Sequence, residues 1–273
     1  MSSATSFRRA PLLTFYAAVV FIFIYLPVIV LILYSFNRDG VGGFPPHHLT
    51  LDWYRLLFAD APIWDSVVNS LIVAAGSVAL SLTLGLLAAL ALDRATFPGK
   101  ALFRRLVLLP LILPGIITGL SLLMFAVLVR TQLSLFTVFL GHGTALISVA
   151  TTELFAGLQK MDRVQEEASL DLGATPWQTF WRITLPNLKL SLIAAGLLIF
   201  TLSMDEIAVT FFLIGRDNTL PLEIWGRLRR GITPEINAVS TLIFVVSVGL
   251  IVFWYRVRTR GLGADAQELL ERP

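Results

Sequence analysis

The chain has 273 residues, 56% of them hydrophobic and only 14% charged, with a formal net charge of +3 and a mean hydropathy of +0.79. Soluble domains carry about 25% charged residues, so this composition excludes an ordinary soluble domain and points to a lipid bilayer. No cysteine is present, which excludes a disulfide framework and a thiolate metal site.

A helix needs about 20 apolar residues to cross roughly 30 Å of hydrocarbon. Nearly charge-free runs predict six such spans, at about 11–36, 66–92, 106–129, 135–158, 189–213 and 236–256, in one all-α membrane domain over 1–273. The first follows Arg8 and Arg9 but is far longer than the 7–15 apolar residues of a cleavable signal, so it reads as a retained span. The segment 38–65 holds Gly40, Gly42-Gly43 and Pro45-Pro46, then Leu51-Asp52-Trp53-Tyr54-Arg55-Leu56-Leu57-Phe58. That mixed character predicts a helix lying at the membrane interface, anchored by its aromatics. His47 and His48 have no further ligand cluster nearby and read as solvated loop residues. Pro110 and Pro114 predict a bend in the third span, with neighbouring helices satisfying the freed carbonyls. Glu153, near the inner end of the fourth span, is expected to pair with a nearby Arg or Lys.

Residues 160–187 then form a polar island between spans. Asp162 can cap a short helix with Gln165 three residues on. Gly173 suits the left-handed position that ends such a helix, because it lacks the Cβ that would clash there. Thr175 caps a second helix, with Pro176 at its first position and Gln178 completing a capping box. The prediction is a two-helix knuckle hinged at a glycine.

The fifth span must continue through Asp205 and Glu206 to reach adequate length. A carboxylate inside a span costs about 2.5–3.5 kcal/mol on insertion scales, so each should meet a cavity or a counter-charge. Two readings stand: an acidic lining for a cationic solute, or a salt bridge to Arg227, Arg229 or Arg230 in the loop 214–234. Adjacent helical residues point about 100° apart, so one carboxylate at most faces a pathway. The last span ends in Trp254-Tyr255 and Arg256, an interfacial anchor. In this layout 14 of the 21 Lys and Arg residues lie on the side of the termini and the knuckle, which the positive-inside rule makes the cytoplasm. The basic excess is therefore topological and calls for no nucleic-acid partner. A phosphate loop of the form Gly-x-x-x-x-Gly-Lys-Ser/Thr is missing, since Gly99-Lys100 lacks both the upstream glycine and the following hydroxyl residue. No nucleophile, base and orienting group recur together. The chain is expected to hold no catalytic residue, metal or cofactor of its own.

Within the knuckle, Glu167, Ala168, Ser169, Gly173, Ile183, Leu185 and Pro186 fall at the spacing Glu-Ala-Ala, three residues, Gly, nine residues, Ile-x-Leu-Pro. This resembles the cytoplasmic coupling loop of binding-protein-dependent ABC importer permeases, with Ser169 the single departure from the pattern. Asn69-Ser70-Leu71, Phe97-Pro98-Gly99-Lys100, and Leu109-Pro110 with Pro114 are similar to the same family. Thr201-Leu202-Ser203-Met204-Asp205-Glu206 and Gly231-Ile232-Thr233-Pro234-Glu235-Ile236-Asn237-Ala238 resemble the spermidine/putrescine permeases, the second of their paired membrane subunits. The resemblance implies a type I importer fold and a second, different permease subunit. It also implies two ATPase subunits that bind ATP and Mg²⁺, a periplasmic binding protein, a place in the bacterial inner membrane, and a polyamine substrate. Related permeases carry other small solutes, such as amino acids or amine derivatives. A stand-alone secondary transporter or channel is the competing class, but the inverted repeats of many such folds are not visible here. A membrane enzyme lacks its catalytic cluster.

Overall fold

The computed structural model describes residues 11–39, 48–231, 233–249 and 252. Its helices are, in order, α1 (Pro11–Tyr34), α2 (Asp52–Ala59), α3 (Ala61–Arg94), α4 (Lys100–Leu108), α5 (Gly115–Leu128), α6 (Leu135–Gln159), α7 (Val164–Asp171), α8 (Pro176–Thr179), α9 (Leu185–Asn187), α10 (Lys189–Met204), α11 (Ala208–Leu213), α12 (Leu220–Arg230) and α13 (Pro234–Gly249). Among the described residues the β contacts amount to one isolated bridge, Asn37 to Leu49. The chain forms two compact units, Met1–Ala61 with Gly226–Pro273, and Pro62–Trp225.

In the first unit, α1 is 24 residues long without a charge, or about 36 Å at 1.5 Å per residue. Its end is fixed by Ser35 Oγ, which donates to the Ile32 carbonyl (2.6 Å) and also bonds the Tyr54 hydroxyl (2.7 Å). The predicted interfacial helix is α2, held to that turn by Trp53 Nε1 donating to the Asn37 carbonyl at 2.9 Å. Arg227 makes a two-pronged pair with Asp60 at 2.6 and 3.0 Å. His48 is exposed, with Nδ1 2.9 Å from Asp39; His47 lies outside the described residues.

The second unit is built on α3 and α6. Ser70, Ser77, Ser81, Gly85 and Ala89 put small buried residues on one face of α3, which lets two backbones approach and gain dispersion contacts that lipid cannot replace. Ser81 Oγ donates across to the Gly143 carbonyl at 2.8 Å. Any side chain at Gly85 would overlap Ala150 on α6. The core beneath the loop 160–187 comprises Ala89, Leu154, Leu158, Leu188 and Ala195, with Met161 packed against it. A second core of Val73, Val138, Val209 and Leu213 lies under α11.

Two predicted spans depart from continuous helices. The third is a pair of segments, Lys100–Leu111 and Gly115–Leu128, set at 105° to one another. Pro114 stands at the break, extended (ψ 136°) as the cap of α5, and a proline disfavours helical backbone in the residue before it. The fifth span is interrupted at Asp205–Ile207, between α10 and α11. Of the sixth, most residues past Gly249 lie outside the described residues. Counting by length and composition, three described helices can each cross a bilayer, and five segments do so if each bent pair is one span. Glu153 is exposed and forms no ion pair among the described residues, so its expected partner is not found there.

Candidate functional site

The loop 160–187 folds as two helical pieces. The first, α7, ends in a complete Schellman turn: Gly173 N–H bonds the Leu170 carbonyl (2.9 Å) and Ala174 N–H the Ser169 carbonyl (3.1 Å). Gly173 sits at φ +86°, a conformation that costs other L-residues roughly 1–2 kcal/mol. Thr175 and Gln178 form the predicted capping box, bonding each other's backbone N–H at 3.3 and 2.9 Å. The first cap differs from expectation. Asp162 accepts from the Val164 N–H at 3.0 Å, but Gln165 leaves the box and accepts from Asn187 Nδ2 at 2.8 Å, tying the loop's start to its end. The second piece runs unbroken from Pro176 to Asn187. It widens to a π-turn at Phe180–Thr184, where Leu185 N–H reaches the Phe180 carbonyl. Pro186 has no N–H to continue the ladder, and a widened turn is the local remedy.

The motif residues divide by exposure. Glu167, Ala168, Gly173 and Pro186 are exposed, whereas Ser169, Ile183 and Leu185 are half-buried. Ser169, the departure from the family pattern, bonds the hydroxyl of buried Thr179 at 3.1 Å, so it joins the two helical pieces. Leu172 is 90% exposed and Trp177 68%. These two side chains give the loop an exposed apolar tip.

Two charge clusters at the end of α3 were not singled out in the sequence. Asp93, whose side chain is 3% exposed, pairs with Arg163 at 3.0 Å and accepts from Gln159 at 2.5 Å. Arg94 pairs with Glu166, and both meet the hydroxyl of Thr184, which is fully buried. Thus Glu166 turns inward as a root while its neighbour Glu167 points out. The signal available in the sequence is Asp93-Arg94, opposite charges closing a span.

At the broken fifth span the two acidic residues take different roles. Glu206 caps α11, its carboxylate accepting from the Val209 N–H at 2.9 Å, a position the helix dipole favours. A side chain at Gly115, the start of α5, would touch that carboxylate at 3.5 Å. The proposed bridge from this pair to Arg227 is replaced by the Glu206 cap and, separately, by the pairing of Arg227 with Asp60. Asp205 ends α10 and is exposed. A carboxylate there adds to the negative end of the dipole, so the spot favours a cation. Behind the break stands His142 of α6, a residue the sequence reading passed over. It is 1% exposed, with Nδ1 2.9 Å from Ser203 Oγ and Nε2 2.9 Å from Thr210 Oγ1.

Among the described residues the chain is helical throughout, with an exposed, ion-rooted knuckle and a carboxylate at a broken helix. Over residues 81–258 it matches the family described as binding-protein-dependent transport system inner membrane component, and it belongs to that family. It is 36% identical over 245 residues to the putrescine transport system permease protein PotI of Escherichia coli K12, covering 86% of each chain. It is 32% identical over 239 residues to the spermidine/putrescine permease PotC of Haemophilus influenzae, covering 86% of this chain and 91% of that one. Among solved structures, a bacterial ABC transporter that imports alginate superposes with a TM-score of 0.67 at 17% identity, over 92% of this chain and 97% of that one. An amino acid ABC transporter superposes at 0.55 and 16% identity, over 77% and 100%. The fold is that of an ABC importer permease, and the chain is a multi-pass membrane component of such a system.

Proposed function

We propose that this permease subunit carries a polyamine, putrescine or spermidine, across the bacterial inner membrane. The observation that carries the substrate is the 31–36% identity, over 86–91% of the chain, to putrescine and spermidine/putrescine permeases. The exposed carboxylate of Asp205 at the negative end of α10 supports it, because a polyammonium ion must exchange water for carboxylates or aromatic faces along its path. In this reading a second, different permease completes the pathway and a periplasmic protein delivers the solute. Two ATPase subunits bind ATP and Mg²⁺, and their grooves receive the tip around Glu167, Leu172 and Gly173. Six spans leave both termini and the tip in the cytoplasm.

The test of substrate is to express the chain with its partner subunits, identify the ligand retained by the binding protein, and measure uptake of labelled putrescine. Competition by spermidine but not by neutral amino acids is expected; a binding protein that holds an anion would overturn the polyamine reading and leave the importer class intact. For topology, a single cysteine at Asn218 should react with an impermeant maleimide from outside, and one at Thr175 only after lysis. Reaction at 218 only after lysis would overturn the six-span layout.

A further inference from the structure

His142 is the largest fully buried polar side chain among the described residues. A buried imidazole is tolerated only with both ring nitrogens satisfied. Here the hydrogen-bond directions can be deduced. Thr210 Oγ1 donates its single hydrogen to the Glu206 carbonyl at 2.8 Å. It can therefore only accept from the ring, so His142 Nε2 carries the proton. Nδ1 is then the acceptor, and Ser203 Oγ donates to it. One directed chain runs from Ser203 through His142 and Thr210 to the backbone of Glu206.

Its ends lie on opposite sides of the interruption. Ser203 is in the last turn of α10 and Thr210 in the first turn of α11, while Asp205–Ile207 between them are not helical. Neither glycine nor proline stands between Phe200 and Ile214, so local backbone preference gives no reason for a break at this point. The Glu206 cap fixes the start of α11 only.

We infer that His142 is the positioning residue of this break: from α6 it holds the last turn of α10 and the first turn of α11 in one register, and so sets where Asp205 is presented. The consequence for transport rests on the proposed reading of Asp205 as part of the pathway; the consequence for the shape of the break does not.

The test uses the assembled complex and a single cysteine at position 205 in this cysteine-free chain. Thr210→Val removes the hydroxyl at nearly constant volume, Thr210→Ser keeps it, and His142→Leu removes the ring. Maleimide labelling at 205 is expected to change about threefold or more in Thr210→Val and His142→Leu, the scale of one net hydrogen bond, and to stay unchanged in Thr210→Ser. If His142→Leu fails to assemble, the Thr210 pair carries the comparison. Equal labelling in Thr210→Val and Thr210→Ser overturns the inference. With Asp205 in place, Thr210→Val should raise the KM for putrescine more than it lowers the maximal rate, with Thr210→Ser restoring both. Altered labelling with an unaltered KM upholds His142 as the positioning residue and removes Asp205 from the pathway instead.

Discussion

The knuckle at 160–187 and the break at 205–207 are both interruptions of helix, yet they are held in opposite ways. The knuckle is rooted on Asp93 and Arg94 of α3, but its turn is shaped by its own sequence: a glycine at φ +86°, a Schellman turn and a Thr175–Gln178 box, all within a few residues. The break has none of these except the Glu206 cap, and its shape depends on a histidine more than 60 residues away. A surface that must dock on a partner gains from a shape that forms locally. A carboxylate inside a span gains from a scaffold that keeps its neighbours satisfied where water is absent.

That contrast can be tested by variants on each side. The largest effect is expected from Gly173→Val, because a β-branched residue at positive φ costs on the order of 1–3 kcal/mol and reshapes the turn. Uptake and substrate-stimulated ATPase activity should be abolished while insertion persists, and Glu167→Arg should do the same by reversing the exposed charge. Retention of both activities in both variants would remove the knuckle from coupling. Next comes Asp205→Asn, expected to lower putrescine uptake at limiting substrate about tenfold, or ~1.4 kcal/mol, with assembly intact. Unchanged uptake would mean that the break is structural only.

A smaller effect is expected at the root. Arg94→Ala leaves Glu166 half-buried beside Thr184 without its cation, a loss of about 1 kcal/mol because solvent screens the part-exposed Arg94. Hydrogen exchange should rise across 164–184, and Glu166→Gln in the same background should add little if the two act as a pair. Full additivity would show that the pair does not hold the loop. Smallest is Thr175→Ala, worth about 1 kcal/mol at an N-cap. It should loosen residues 176–179 by hydrogen exchange and leave uptake nearly unchanged, whereas a large transport defect would mean that the hydroxyl serves the partner directly.

The two regions also differ in how much of them could be read beforehand. Gly173, Thr175, Pro176 and Gln178 act on their immediate neighbours, so the chemistry of each residue named its place. Gln165 was assigned to a cap by spacing, but Asn187, 22 residues away, offers it a better donor. Asp205 and Glu206 were legible as charges needing partners. Their roles were not, because a helix of uniform apolar residues shows no sign of where it stops. The histidine that holds the break lies on another span. Pro110 and Pro114 announced a bend, though not one of 105°, since the angle follows from what α5 packs against. Arg94 entered only the count of basic residues, and with Asp93 it proves to be the loop's attachment.

Helix α3 runs without interruption over 34 residues, and both of its ends are tied to other segments. Near its start, Asn69 donates to the Asn218 carbonyl at 3.0 Å and Ser70 Oγ accepts from the Leu220 N–H at 2.8 Å. At its finish, Asp93 and Arg94 grip the loop 160–187. Twenty-five residues of helix separate Asn69 from Arg94, about 37 Å at 1.5 Å per residue, and no proline or bend intervenes to act as a joint. In mechanical terms α3 is a push-rod. A tilt imposed at the loop 160–187 would be carried along this one rigid helix to its contact with Leu220, at the start of α12.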